Sequence, residues 1–129
     1  MAGWADVKAL AKERFVVTHD DGDSFQVLFE YRTGRHQNVI VSHIDAFECT
    51  WLRFRSLVCR RDQMSPEVAL AWNAEFSVGA LALIDDHYAI LHSTPIDTLD
   101  PEELERPLRI LGVVADKLEH DYTRGRDIF

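Results

Sequence analysis

Six histidines, His19, His36, His43, His87, His92 and His120, are the residues of this sequence best suited to hold a metal ion. Their spacing does not gather them. His87 and His92 differ by five and His36 and His43 by seven, odd numbers that put each pair on opposite faces of a strand. A metal site would need ligands from different strands. Asp20, Asp21 and Asp23 around Gly22 have the composition of a calcium loop but lack its strict spacing and its closing glutamate, and turn chemistry accounts for them. Glu102, Glu103 and Glu105 stand where a helix would begin, a place that favours negative charge without any ligand. Cys49 and Cys59 lie in one extended stretch, about 33 Å apart along an unbroken strand, and read as reduced thiols. There is no nucleophile elbow, phosphate loop, dinucleotide fingerprint or zinc-protease motif. No catalytic residue, cofactor or metal ligand is expected.

Arginine is the other residue type with chemistry to offer. The 129 residues carry 22 acids against 14 bases, a formal charge of −8. Residues 1–31 contribute −3 and residues 62–129 contribute −9, whereas residues 32–61 hold six arginines against two acids, +4. Arg53 and Arg55, two apart, would share one face of a strand. Two readings stay open for them: pairing with acids of a helix packed on that face, or lining a groove for an acidic partner segment. The net acidity and the lack of an organised set of stacking aromatics argue against nucleic acid.

These side chains must be positioned by a small set of elements. Val7, Leu10 and Ala11 predict a helix over 5–14. Phe15 to His19 is β-prone and stops at the Asp20–Asp23 turn. Alternation over 24–31 puts Phe25, Val27, Phe29 and Tyr31 on one face, and a further strand is expected over 37–44. Residues 45–48 read as a loop. A longer strand over 50–60 sets Leu52, Phe54, Ser56 and Val58 against Trp51, Arg53, Arg55 and Leu57.

Ser65, Pro66 and Glu67 punctuate a helix start, with Val68, Trp72 and Phe76 as its stripe over some twelve residues. Strands over 80–84 and 87–93 follow. Asp100-Pro101 opens the last and longest helix, whose seam is Leu104, Leu108, Leu111, Ala115, Leu118 and Tyr122. Pro107 predicts a kink or a ragged first turn there. The expectation is one domain spanning 1–129, of α+β class: an antiparallel sheet flanked by helices, in the order α-β-β-β(-β)-α-β-β-α. No apolar run can span a bilayer, and the opening Met-Ala-Gly-Trp-Ala-Asp lacks the pattern of a secretory signal, so a cytoplasmic location is expected. If Trp72 faces the sheet, Leu70 and Ala74 form a second apolar surface, which suggests a copy of the same chain as partner.

The segment from Ser65 to Phe76, followed by Gly79-Ala80-Leu81-Ala82-Leu83, resembles the YbjN and type III secretion chaperone (CesT-like) superfamily. Thr94 to Leu99, Ala115 to Glu119 and Arg35-His36-Gln37-Asn38-Val39 extend the resemblance to roughly residues 5–125. It implies a non-enzymatic homodimer that holds a partner protein segment. The alternatives are a regulator of a signalling protein, the label attached to the YbjN-like branch, and a small-molecule or metal-binding domain. The expected partner-binding residues are Trp4, Val7, Leu10, Phe25, Val27, Phe29, Arg53 and Arg55. The expected dimer residues are Leu70, Trp72 and Ala74. The expected partners are a protein or peptide client and a second copy, with no nucleic acid and no membrane.

Overall fold

A computed structural model describes residues 3–129; Met1 and Ala2 of the opening hexapeptide lie outside the described residues. Helix α1 (Trp4–Arg14) is followed by β1 (Val16–Thr18), β2 (Ser24–Glu30), β3 (His36–Ala46) and β4 (Cys49–Arg60). After a single 3₁₀ turn (Arg61–Gln63) come α2 (Pro66–Asn73), β5 (Ala80–Ile84), β6 (His87–Pro95) and α3 (Pro101–Tyr122). The strands form one antiparallel sheet in the order β1-β2-β3-β4-β6-β5. This is the expected α+β class and element order.

Register fixes the two faces. Phe25 pairs with Val41, Val41 with Phe54, and Phe54 with His92, so these side chains point the same way. Of that parity, Phe25, Val27, Val39, Val41, Leu52, Phe54, Val58 and Ile90 are wholly buried, and Phe29 and His92 are half-buried. All three helices add to this one core: Val7 and Ala11 from α1, Ala69 from α2, and Leu104, Leu108, Leu111, Ala115 and Leu118 from α3. The other face of the sheet has no helix on it.

Both predicted caps form. Ser65 Oγ accepts the Val68 N–H at 3.2 Å, and Asp100 Oδ1 accepts that of Glu103 at 2.8 Å. Helix α3 runs unbroken through Pro107, whose ring is buried, so the ragged first turn does not arise. Helix α2 is shorter than expected, eight residues, ending at Asn73. The Asn73 amide accepts from Leu81 N at 2.7 Å and donates to Leu81 O at 3.3 Å, covering the outer edge of β5. The stripe also shifts: Ala69 is buried, whereas Val68 is 38% exposed.

Strand β3 runs to Ala46, two residues beyond expectation, because residues 47 and 48 alone make the hairpin turn. Phe47 and Glu48 both have positive φ, 53° and 60°, which a primed two-residue turn demands and which Asn-Gly would satisfy without strain. Phe47 is 94% exposed, so its removal loses no packing. The double variant Phe47→Asn, Glu48→Gly is expected to raise stability by about 1 kcal/mol in urea unfolding. A loss of stability would show that the turn is not under strain.

The acidic loop before β2 is held to α1. Asp20 meets Lys8 Nζ at 2.9 Å and Lys12 Nζ at 3.0 Å, and accepts the Gly22 N–H at 2.9 Å. Asp21 accepts from Asp23 N and Ser24 N. Trp4 Nε1 donates to Gly22 O at 2.7 Å. The Lys8 bond, then the Gly22 amide, then Lys12, hold the Asp20 carboxyl well below the usual carboxylate range. A depressed folded-state pKa gives stability above the unfolded value, lost as pH falls from about 4 toward the folded value. Asp20→Asn is therefore expected to destabilise at pH 7 by a margin that shrinks below pH 4. A constant margin across a pH series would assign its effect elsewhere.

Candidate functional site

The uncovered sheet face is built by the alternate residues that the core does not take. On β4 these are Trp51, Arg53, Arg55 and Leu57, each half-buried between flanking strands. Arg55 lies opposite Ile40 on one side and Leu91 on the other; Arg53 lies opposite Ser42 and Ser93. A shallow cavity of about 220 Å³ opens there, lined by Ser24, Ile40, Ser42, Arg53, Arg55, Ile84 and Leu91. Neither guanidinium meets a carboxylate among the described residues, and the Nε of each is shielded from solvent without a hydrogen-bond partner. Pairing with a helix packed on that face does not occur, since no helix lies there.

Elsewhere in the basic stretch Arg35 and Arg60 are paired with carboxylates, and Arg32 and Arg61 are exposed. Arg35 sits among Asp116 (3.0 Å), Glu119 (3.2 Å) and Asp127 (3.8 Å), and donates to the carbonyls of Gly125 and Arg126. Arg60 pairs with Asp62. Asp116, Glu119 and Asp127 are the one trio of acidic or metal-ligating groups that converge among the described residues, and Arg35 already supplies the cation. Burial raises the Glu119 carboxyl, while the Phe129 and Ile128 amides and Arg35 act in the other direction. The histidines are dispersed: His36 on Asp127, His43 beside Trp4, His87 against Phe129, His92 stacked on Phe54 and lowered by burial. Cys49 and Cys59 are unpaired at opposite ends of β4, and burial, with Asp62, pushes the Cys59 thiol up to about 11.

The predicted partner-binding residues divide. Arg53 and Arg55 are on the open face. Val7, Phe25 and Val27 are wholly inside the core and present no surface, because the helices cover that side of the sheet. Trp4, Leu10 and Phe29 pack at the core margin, Trp4 against Phe25 and His43. Of the predicted dimer residues, Leu70 (68% exposed) and Ala74 are accessible, whereas Trp72 is half-buried with its indole N–H bonded to the Tyr122 hydroxyl at 2.8 Å. Sequence reasoning missed Ile40, Ile84 and Leu91 as companions of the arginines; strand parity contained that signal once the pairing was known. A larger cavity, about 610 Å³, lies elsewhere, between Arg60, Arg61, Asp62 and Asp86, where opposite charges offset each other.

A β-edge is a poor alternative platform. Strand β1 has three residues, and Asn73 occupies part of the β5 edge. No helix among the described residues is long and apolar enough to cross a membrane.

No protein-family model matches the chain, and none of the curated proteins does. The fold does match a chain in a solved structure of the HopA1–SchA chaperone–effector complex, with a TM-score of 0.60 at 13% identity, over 92% of this chain and 91% of that one. The secretion-chaperone-like architecture is thereby established as a fold.

Proposed function

We propose that this chain is a non-enzymatic, chaperone-like adaptor of the YbjN and secretion-chaperone type, a cytoplasmic homodimer that holds a client protein segment on the open face of its sheet. The observation that carries this reading is that face itself. It leaves Ile40, Leu57, Leu91 and Ile84 half-buried and uncovered, around two arginines with no partner. Apolar surface so placed favours a covering partner. The fold likeness to a chaperone solved with an effector supports the same reading. For the dimer, Leu70, Val68 and Leu83, exposed on neighbouring elements at the β5 end of the domain, offer the apolar contact.

The test uses reduced insulin as an unfolding client. The wild-type protein is expected to suppress its light scattering near equimolar ratio, and Ile40→Glu or Leu91→Glu to lose most of that effect while keeping the wild-type circular dichroism. Unchanged suppression by both variants would remove the open face from the reading. Light scattering after size exclusion is expected to give twice the 14.8 kDa chain mass, and Leu70→Glu to give a monomer. A wild-type monomer at tens of micromolar would end the dimer.

A further inference from the structure

We infer that the segment received by the open face is acidic: an extended stretch of a partner protein in which Asp or Glu alternates with apolar residues, its carboxylates seated on Arg53 and Arg55. This rests on the open face being the client platform and names the chemistry of what it takes.

Three arginines are half-buried among the described residues: Arg35, Arg53 and Arg55. Of these, Arg35 pairs with carboxylates of the chain itself, the Asp116–Glu119–Asp127 trio. Arg53 and Arg55 do not, in a chain with eight more acids than bases. Their cross-strand neighbours Ser42, Ser93, Ile40 and Leu91 are neutral. The one acid of matching parity on the open face of the strands, Glu30, lies at the exposed end of β2 opposite His36. Two like charges about 7 Å apart on one strand face repel each other, and nothing in the fold offsets that.

Geometry narrows the ligand. Both Nε groups are desolvated donors without acceptors. A carboxylate that takes an arginine side-on uses Nε–H and one Nη–H together, two parallel bonds that satisfy the orphaned donor. The hydroxyls of Ser24 and Ser42 line the same cavity, and Ile40, Ile84 and Leu91 bound it with apolar surface. A strand presents carboxylates and apolar groups at matching intervals.

Other occupants fit less well. A second copy laid face to face would set arginine upon arginine. A nucleic-acid backbone needs a track of cations, and this face has two, on a protein of charge −8.

The experiment is fluorescence anisotropy with labelled decapeptides of alternating Leu-Glu, Leu-Gln or Leu-Lys, and with a twelve-nucleotide oligo(dT), at low and physiological salt. Leu-Glu is expected to bind at least about tenfold tighter than Leu-Gln at low salt, with the gap narrowing as salt rises. Arg53→Met, Arg55→Met is expected to erase the gap while Leu-Gln binding persists. Should that variant unfold, Arg53→Lys, Arg55→Lys keeps the charge, loses the paired donors and is expected to reduce the preference several-fold. Equal affinity for Leu-Glu and Leu-Gln, a preference that survives the substitutions, or tighter binding of oligo(dT) overturns the inference. Equal affinities that Leu91→Glu abolishes would leave the platform standing and the acidic specificity refuted. No binding of any peptide below about 1 mM would refute both.

Discussion

Replacing Arg35 by Met is expected to lower the unfolding free energy by about 3–5 kcal/mol. The guanidinium is 14% exposed and the Glu119 carboxylate beneath it not at all. Removing the cation strands a buried negative charge beside Asp116, and breaking a buried pair from one side is far more costly than never having built it. Arg35 also donates to the carbonyls of Gly125 and Arg126, so the turn after β2 loses its hold on residues beyond α3 at the same time. Against a typical total stability of about 5–15 kcal/mol this is a large fraction, and the urea midpoint should fall accordingly. Arg35→Lys is expected to recover only part of the loss, because one ammonium cannot serve three carboxylates and two carbonyls in fixed directions. A loss below about 1 kcal/mol for Arg35→Met would mean that Glu119 is compensated by the Ile128 and Phe129 amides alone, which donate to it at 2.6 and 2.8 Å.

Gly112→Val is expected to cost about 1–3 kcal/mol. Helix α3 packs tightly against strand β2 and Tyr31 there. A Cβ on Gly112 would lie 2.8 Å from the Phe29 ring and 2.8 Å from the Tyr31 hydroxyl. Phe29 stacks on Tyr31 and meets Phe15 edge-on, so the ring has little room to yield. The Tyr31 hydroxyl stays neutral, since burial and Asp116 push it up to about 12. A valine side chain would gain a little helix propensity over glycine, about 0.4 kcal/mol, and lose more in forced repacking. The check is a double-mutant cycle with Phe29→Ala. The space vacated by the ring should accept the valine methyls, making the double variant more stable than the two single losses predict by at least about 1 kcal/mol. Additive losses would show that the close approach is not the source of the cost.

Much of the fold was legible because it depends on local chemistry. Ser65 and Asp100 announced their helices through capping that needs no tertiary partner. Alternation sorted Phe54 from Arg55 and Leu52 from Arg53. Alternation cannot say which of two faces the helices will cover, however, and that is why Phe25 and Val27 suggested a groove and prove to be core. The turn at Phe47-Glu48 carries none of the glycine or asparagine that marks a primed turn, so β3 looked shorter than it is. Asn73 gave no sign that its amide would serve Leu81 at the edge of β5. The open site was legible as two arginines on one face; that they would lack partners was a tertiary fact.

The seam between β3 and β4 has a consequence in time. Their register ends at Ile40 and Arg55, and beyond it Asn38 O accepts from Ser56 Oγ while Asn38 N and Nδ2 donate to Phe129 O. Asp127 likewise accepts the His36 N–H. The bonds to Phe129 and Asp127 join residues 91 positions apart, so this part of the sheet cannot finish until α3 has docked. Closure of such a distant loop comes late, when its entropy has been offset by contacts already made. During synthesis the open seam would wait for residues 127–129 to emerge. Amide exchange at Asn38 should therefore be among the last to become protected in a refolding time course.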